Sequence, residues 1–290
     1  MLKDPKYNVS VGMRYGMFFC SCILCFIIAA FAMAFILHND ITPAKIRIAT
    51  LLQDIIMFII PAIATAAVIT RQPGDFLMIL KRPGLINTML VFATMIASIP
   101  VMNVIIELNK SINLPESMSA IEQWMISAEK SAEETMSLFL GAGEIGSLII
   151  GLLIVAVLAG FSEELFFRGT LQQIIKSTPT NKHIAVWATA IIFSAIHLQF
   201  FGFFPRLLLG AFFGYIAVWS GSLWLAVAAH IFNNATAFFA MWLYTRSEGA
   251  INLDTAMTPE ISAANLPLIL VSFVLTTILI VVLYRRLNKE

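Results

Sequence analysis

Six residues, Glu163-Glu164-Leu165-Phe166-Phe167-Arg168, hold two adjacent carboxylates and a guanidinium. They follow the stretch Ile145 to Ala159, which contains only Leu, Ile, Val, Ala, Gly and one Ser. Insertion into a bilayer costs about 2.5–3.5 kcal/mol per ionised side chain, so a chain that keeps three in so short a space uses them. Three more polar residues interrupt apolar stretches. His197 closes Phe193-Ser194-Ala195-Ile196-His197, and His230 and Asn234 bracket His230-Ile231-Phe232-Asn233-Asn234. A carboxylate in a poorly solvated pocket can take a proton from water near neutral pH. A histidine facing it can orient that water or carry its proton. A second histidine and an amide can donate hydrogen bonds to a developing oxyanion, often the largest catalytic contribution in a low-dielectric site. The set fits water attacking an amide carbonyl, with no covalent nucleophile.

These side chains need helices to carry them. The chain has 290 residues, 59% hydrophobic and 12% charged, against a charged share of about 25% in soluble domains, and its mean hydropathy is +0.88. That composition defines an all-α polytopic membrane bundle. At about 20 residues per crossing the sequence predicts eight spans, near 15–37, 51–70, 85–106, 145–167, 184–201, 205–220, 222–244 and 267–284. The run from Tyr15 to Leu37 is too long for the core of a cleavable signal and is expected to stay as the first span. A net charge of +1 gives no reason to expect a nucleic-acid partner. Cys20, Cys22 and Cys25 all fall in the first span and read as small packing residues.

Basic residues orient the bundle. With both termini cytoplasmic, Lys3, Lys6, Arg14, Arg71, Lys81, Arg82, Lys176, Lys182, Arg285, Arg286 and Lys289 face inward. Lys45, Arg47, Lys110, Lys130, Arg206 and Arg246 face outward, and Arg168 lies within the membrane. The bias favours a cell-membrane protein with both termini in the cytoplasm. The longest connection, 107–144, carries Met118, Ile121, Met125, Ala128, Ala132, Met136 and Phe139 at helical spacing. It is expected to form an amphipathic helix with an acidic outer face, a solvated cap over the bundle.

Glu164 and Arg168 are four residues apart and can pair on one helix face, while Glu163 points about 100° away. Counted from the basic end, Glu163, His197 and Asn234 all lie about 20–21 Å deep, and His230 one turn shallower. One buried cluster, with an intramembrane polar cavity at its centre, is the consequence. Each member has a structural alternative: an ion pair for Glu164 and Arg168, interhelical hydrogen bonding for His230 and Asn234, packing for Phe193 and Asn233, and a packing role for His197.

The three motifs, E-E-x-x-x-R, F-x-x-x-H and H-x-x-x-N in that order on successive helices, resemble the CPBP family of intramembrane glutamic endopeptidases. That family comprises CAAX prenyl proteases and bacteriocin-processing or immunity-related relatives. The resemblance spans roughly 145–244, between an N-terminal region, residues 1–144, and a C-terminal region, residues 245–290. It implies that Glu163 and His197 activate water and that His230 and Asn234 hold the oxyanion. Glu164 and Arg168 then support the site, and Phe193 lines or packs it. The expected reaction is hydrolysis of a membrane-associated peptide, prenylated or leader-like, at or just inside the cytoplasmic leaflet, without a cofactor. Zinc on Glu163, His197 and His230 is the weaker alternative. A non-enzymatic immunity or binding protein, or a proton-coupled transporter, could use the same cluster, although no inverted repeat marks a transporter.

Overall fold

A computed structural model describes residues 7–112, 114–178, 181–251 and 265–289. Lys3, Lys6 and most of the polar connection 245–265 lie outside the described residues. The architecture is all-helical. The membrane helices are α1 (Val11–Ile36), α2 (Pro43–Ile69), α3 (Leu85–Lys110), α5 (Ile145–Lys176), α6 (Lys182–Ile196), α7 (Phe203–Ser220), α8 (Leu223–Arg246) and α9 (Leu266–Leu287). Between α3 and α5 runs the amphipathic α4 (Ser119–Leu140). The only β contact among the described residues is an isolated bridge between Tyr7 and Thr70.

Among the described residues, seven of these helices are long and apolar enough to cross a membrane, not the eight the hydropathy predicts. The difference is the fifth segment. Its helix, α6, ends at Ile196 after 15 residues, about 22 Å at 1.5 Å per residue against a hydrocarbon core of about 30 Å. Beyond His197 the backbone turns through Leu198 at φ +55° into the short helical turn Phe200–Gly202. What hydropathy reads as one span is a short helix followed by a re-entrant corner, packed along α7.

Lipid takes the outer surface, where large apolar side chains such as Phe31, Phe35, Leu85 and Val271 are exposed. Core clusters lie between α2, α3, α5, α7 and α8. The prolines are accommodated locally. Pro61 follows a widened helical turn at Ile55–Ile59. At Pro100 the α3 ladder is opened, and Ser272 of α9 enters it, donating to Ala97 O at 2.6 Å and accepting from Val101 N at 3.3 Å. A neighbouring hydroxyl thus satisfies backbone groups that lipid cannot.

Helix α5 is the element that places the site. It is widened twice, at Leu152–Leu158 and Leu165–Leu171, and the ordinary helical turns Ala159–Glu164 between these hold both glutamates. Such widened turns re-aim the side chains that follow them and frequently occur at functional sites. Side chains tie off the second one: the Thr170 hydroxyl donates to Leu165 O at 3.1 Å, and the Gln173 amide to Arg168 O at 3.0 Å. Glycines bring α8 against α5. A Cβ at Gly151 would run into the Phe238 ring, and one at Gly160 would lie 2.9 Å from Ile231 Cγ1. Gly160 is three residues before Glu163, and Ile231 is the residue after His230.

Candidate active site

The floor of the site is a charge network that the i to i+4 spacing on α5 begins. Arg168 Nη1 donates to Glu164 Oε1 at 2.8 Å, and both side chains are fully buried. The other guanidinium nitrogen, Nη2, donates to Gly210 O on α7 at 3.0 Å. His230 Nδ1 lies 2.9 Å from the same Glu164 oxygen. A carboxylate accepts, so Nδ1 carries the proton and Nε2 points the other way. Glu164 therefore holds Arg168 on one side and fixes the His230 ring on the other, a carboxylate–imidazole arrangement that sets ring orientation.

Glu163 is directed elsewhere, as the helix geometry requires. Its Oε2 lies 3.8 Å from His197 Nε2 and 3.8 Å from His230 Nε2. That oxygen is buried and has no hydrogen-bond partner among the described residues. His197 caps the C-terminus of α6, and its Nδ1 is 2.7 Å from Phe193 O one turn back. A backbone carbonyl only accepts, so His197 likewise has its proton on Nδ1 and turns Nε2 toward Glu163. Two imidazole nitrogens and a carboxylate oxygen converge from three helices.

Asn234, one turn beyond His230 on α8, donates through Nδ2 to Val155 O on α5 at 3.1 Å, and its Oδ1 accepts from Asn233 at 3.3 Å. Val155 lies inside the first widened turn of α5, whose carbonyls are less completely used by the helix. Phe193 is a wedge. Its ring stands 4.9 Å from His197 and 5.8 Å from His230, centroid to centroid, and the Arg168 guanidinium sits 4.5 Å from its centre. Phe213 of α7 stacks on His230 at 5.3 Å. Aromatic faces stabilise the buried cation and fix both imidazoles.

All of these groups except the buried Glu164–Arg168 pair line one cavity of ≈ 550 Å³. The cluster read from the sequence, Glu163, His197, His230 and Asn234, is thus brought together, with Phe193 and Asn233 in the same wall. Residues outside that cluster also stand in the wall. Arg206 of α7 lines it, its guanidinium held by Gln199 through Oε1 at 2.7 Å and O at 3.3 Å. Glu129 lines it from α4, so the acidic amphipathic helix forms part of the site instead of merely capping the bundle. The signal for Arg206 was present: it is the one charged residue between Phe200 and Ser220. Nothing in the pattern of α4 singles out Glu129 among its acidic neighbours. Burial pushes its carboxyl up from the ordinary range, with the Arg206 charge opposing that shift. Asp54, just before the widened turn of α2, is also buried, with Oδ2 unpartnered among the described residues, but it does not line the cavity. Among the described residues, no group of three His, Cys, Asp or Glu side chains is gathered as a metal-binding set.

The fold and this site define an integral, multi-pass membrane helix bundle with a polar cavity inside it. Residues 145–236 match the family described as Rce1-like, the type II CAAX prenyl endopeptidase Rce1-like proteins. The matched segment takes in both glutamates, Arg168, both histidines and Asn234, supports the CPBP/CAAX protease family read from the motifs, and at the level of that family implies a proteolytic hydrolase. Helices α1 to α4 and α9 lie outside it. No curated protein and no solved structure matches the chain.

Proposed function

We propose that the protein is an intramembrane glutamic endopeptidase that hydrolyses membrane-associated peptides with a water activated by Glu163 and His197. The observation that carries this reading is the approach of Glu163 Oε2 to two histidine Nε2 atoms, each at 3.8 Å. That separation is too long for a direct hydrogen bond and suits a water molecule that bridges the groups. Glu163 takes one proton from the water as the oxygen attacks the peptide carbonyl, and His197 Nε2 accepts the other hydrogen bond and fixes the line of attack. The carbonyl oxygen becomes an oxyanion. His230 faces it through Nε2, with Nδ1 held by Glu164; a ring that takes up a second proton at Nε2 donates to the oxyanion, and the second amide hydrogen of Asn234 adds a donor. The proton on Glu163 then passes to the leaving nitrogen as the C–N bond breaks. Glu164, Arg168 and Phe193 position these groups.

The test uses purified protein in proteoliposomes with a membrane-anchored peptide library read by mass spectrometry. Wild type is expected to cleave, and Glu163→Gln and His197→Ala to lose at least about 100-fold, the scale of general acid–base assistance. Cleavage that survives in both variants refutes the assignment. Activity abolished by a chelator and restored by zinc would replace the water-only mechanism with a metal one.

A further inference from the structure

The two ends of the bundle are unlike, and the cavity reaches only one of them. One end gathers the start of α1, the α2–α3 connection, the α5–α6 and α7–α8 connections and the end of α9. Arg14 Nη1 donates to Ser177 O at 3.3 Å, Lys81 to Ser220 O at 2.8 Å and Arg286 to Asn87 Oδ1 at 2.7 Å, which ties these segments together. Among the described residues this end holds nine Lys and Arg side chains and one acid, Asp75. The opposite end carries α4. Apart from Arg206 in the cavity wall, its described residues include five basic ones, Lys45, Arg47, Lys110, Lys130 and Arg246, against nine acids, four of them on α4.

Lys110, Glu129, Gln199, Gly202, Arg206 and Met241 line the cavity and are themselves exposed or half-buried, so the cavity meets solvent among them, and this is its mouth. All six belong to the acidic end. Toward the basic end the way is filled: Phe167, Arg168 and Gln172 are fully buried, and Gln172 Nε2 donates to Gly214 O at 3.3 Å across to α7. A separate cavity of ≈ 570 Å³ at the basic end, lined by Tyr7, Thr70, Gln173, Lys176 and Gly221 among others, shares no wall with the site.

Loops rich in Lys and Arg stay in the cytoplasm, whereas acids contribute little to orientation. From this rule and the position of the mouth, we infer that the site is served from the extracytoplasmic side. The substrate is then a peptide anchored in, or emerging from, the outer leaflet. This rests on the peptidase reading above for the word substrate; the side of access does not. It replaces the cytoplasmic-leaflet cut expected from the sequence. A lipid-bearing tail of a cytoplasmic protein would meet the filled basic end, whereas a leader or membrane segment exposed outside would meet the open one.

The experiment needs no catalysis. In a full-length variant with Cys20, Cys22 and Cys25 changed to Ala, Ser127→Cys on the exposed face of α4 and Lys182→Cys at the basic end are introduced singly. Each is treated in intact cells with a membrane-impermeant maleimide. Labelling of Ser127→Cys without permeabilisation, with Lys182→Cys reacting only after it, is expected; the reverse pattern overturns the inference. A fluorescent protein fused after Glu290 checks the same topology with the native cysteines. It should fluoresce, as such a fusion does in the cytoplasm, and a dark but full-length fusion counts against the inference. If the labelling is as expected but no outward-facing or inward-facing anchored peptide is cut, the peptidase reading fails while the side of access stands.

Discussion

Replacing Arg168 with Leu tests whether the buried ion pair is the keystone of the site. Arg168 and Glu164 are both inaccessible to solvent and 2.8 Å apart. The substitution removes the guanidinium bonded to Glu164 and leaves its carboxylate with the His230 ring at 2.9 Å. Breaking one side of a buried pair costs about 3–5 kcal/mol, because the survivor is an uncompensated charge. Against a total stability of about 5–15 kcal/mol this is a large fraction. Removing both charges together, Glu164→Gln with Arg168→Leu, eliminates that penalty and should cost distinctly less than the sum of the single changes, with a coupling of about 2–3 kcal/mol. The assay is reversible unfolding in mixed detergent micelles for wild type, both single variants and the double variant, read by tryptophan fluorescence. Additive costs would refute the reasoning, since they would mean that the two charges do not depend on each other. Activity gives a separate readout. The double variant should recover stability but not cleavage, because His230 has lost the carboxylate that fixes its ring.

Gly160→Val should destabilise the protein by at least about 2 kcal/mol through overpacking against Ile231, measured in the same unfolding assay; a change under about 0.5 kcal/mol, the scale of a neutral surface substitution, would show that α5 and α8 do not depend on that close approach. Glu129→Gln addresses pH. Burial holds the Glu129 carboxyl above its ordinary value, so its protonated form is favoured in the folded state, and its contribution to stability is complete at low pH and lost as pH rises through the folded value. The glutamine variant should therefore match wild type under acid conditions and gain on it toward neutral pH. A melting-temperature difference that stays flat with pH would count against this.

Much of the site was legible in the chain because its logic is local and costly. Glu164 and Arg168 pair at i to i+4, and that spacing alone sends Glu163 elsewhere. Charges and imidazoles inside apolar helices stand out, since lipid exacts a penalty for each, so Glu163, His197, His230 and Asn234 could be picked out and set at a common depth. The all-helical membrane architecture follows from composition for the same reason. Other features were not local. Helix α6 is shorter than its hydropathy suggests, because the corner after His197 is apolar and indistinguishable by composition from a continuing span. The widened turns of α5 leave carbonyls that are taken up by side chains of α5 itself, Thr170 and Gln173, and by Asn234 of α8, and they have no residue signature. Asn109 Nδ2 donating to Phe200 O at 2.9 Å, which anchors the corner near Arg206, joins residues 91 positions apart.

The sequence by itself determined which residues carry charge into the membrane and which helix faces they occupy, because burial cost and helical period act within a few residues. Tertiary structure alone decided that Glu164 is shared by Arg168 and His230 and that α4 lends Glu129 to the wall. It also decided that the cavity opens at one end of the bundle and is filled at the other. Those outcomes depend on how closely glycines let α5 and α8 approach and on which side chains fill the space left between helices, and neither is written in any single segment.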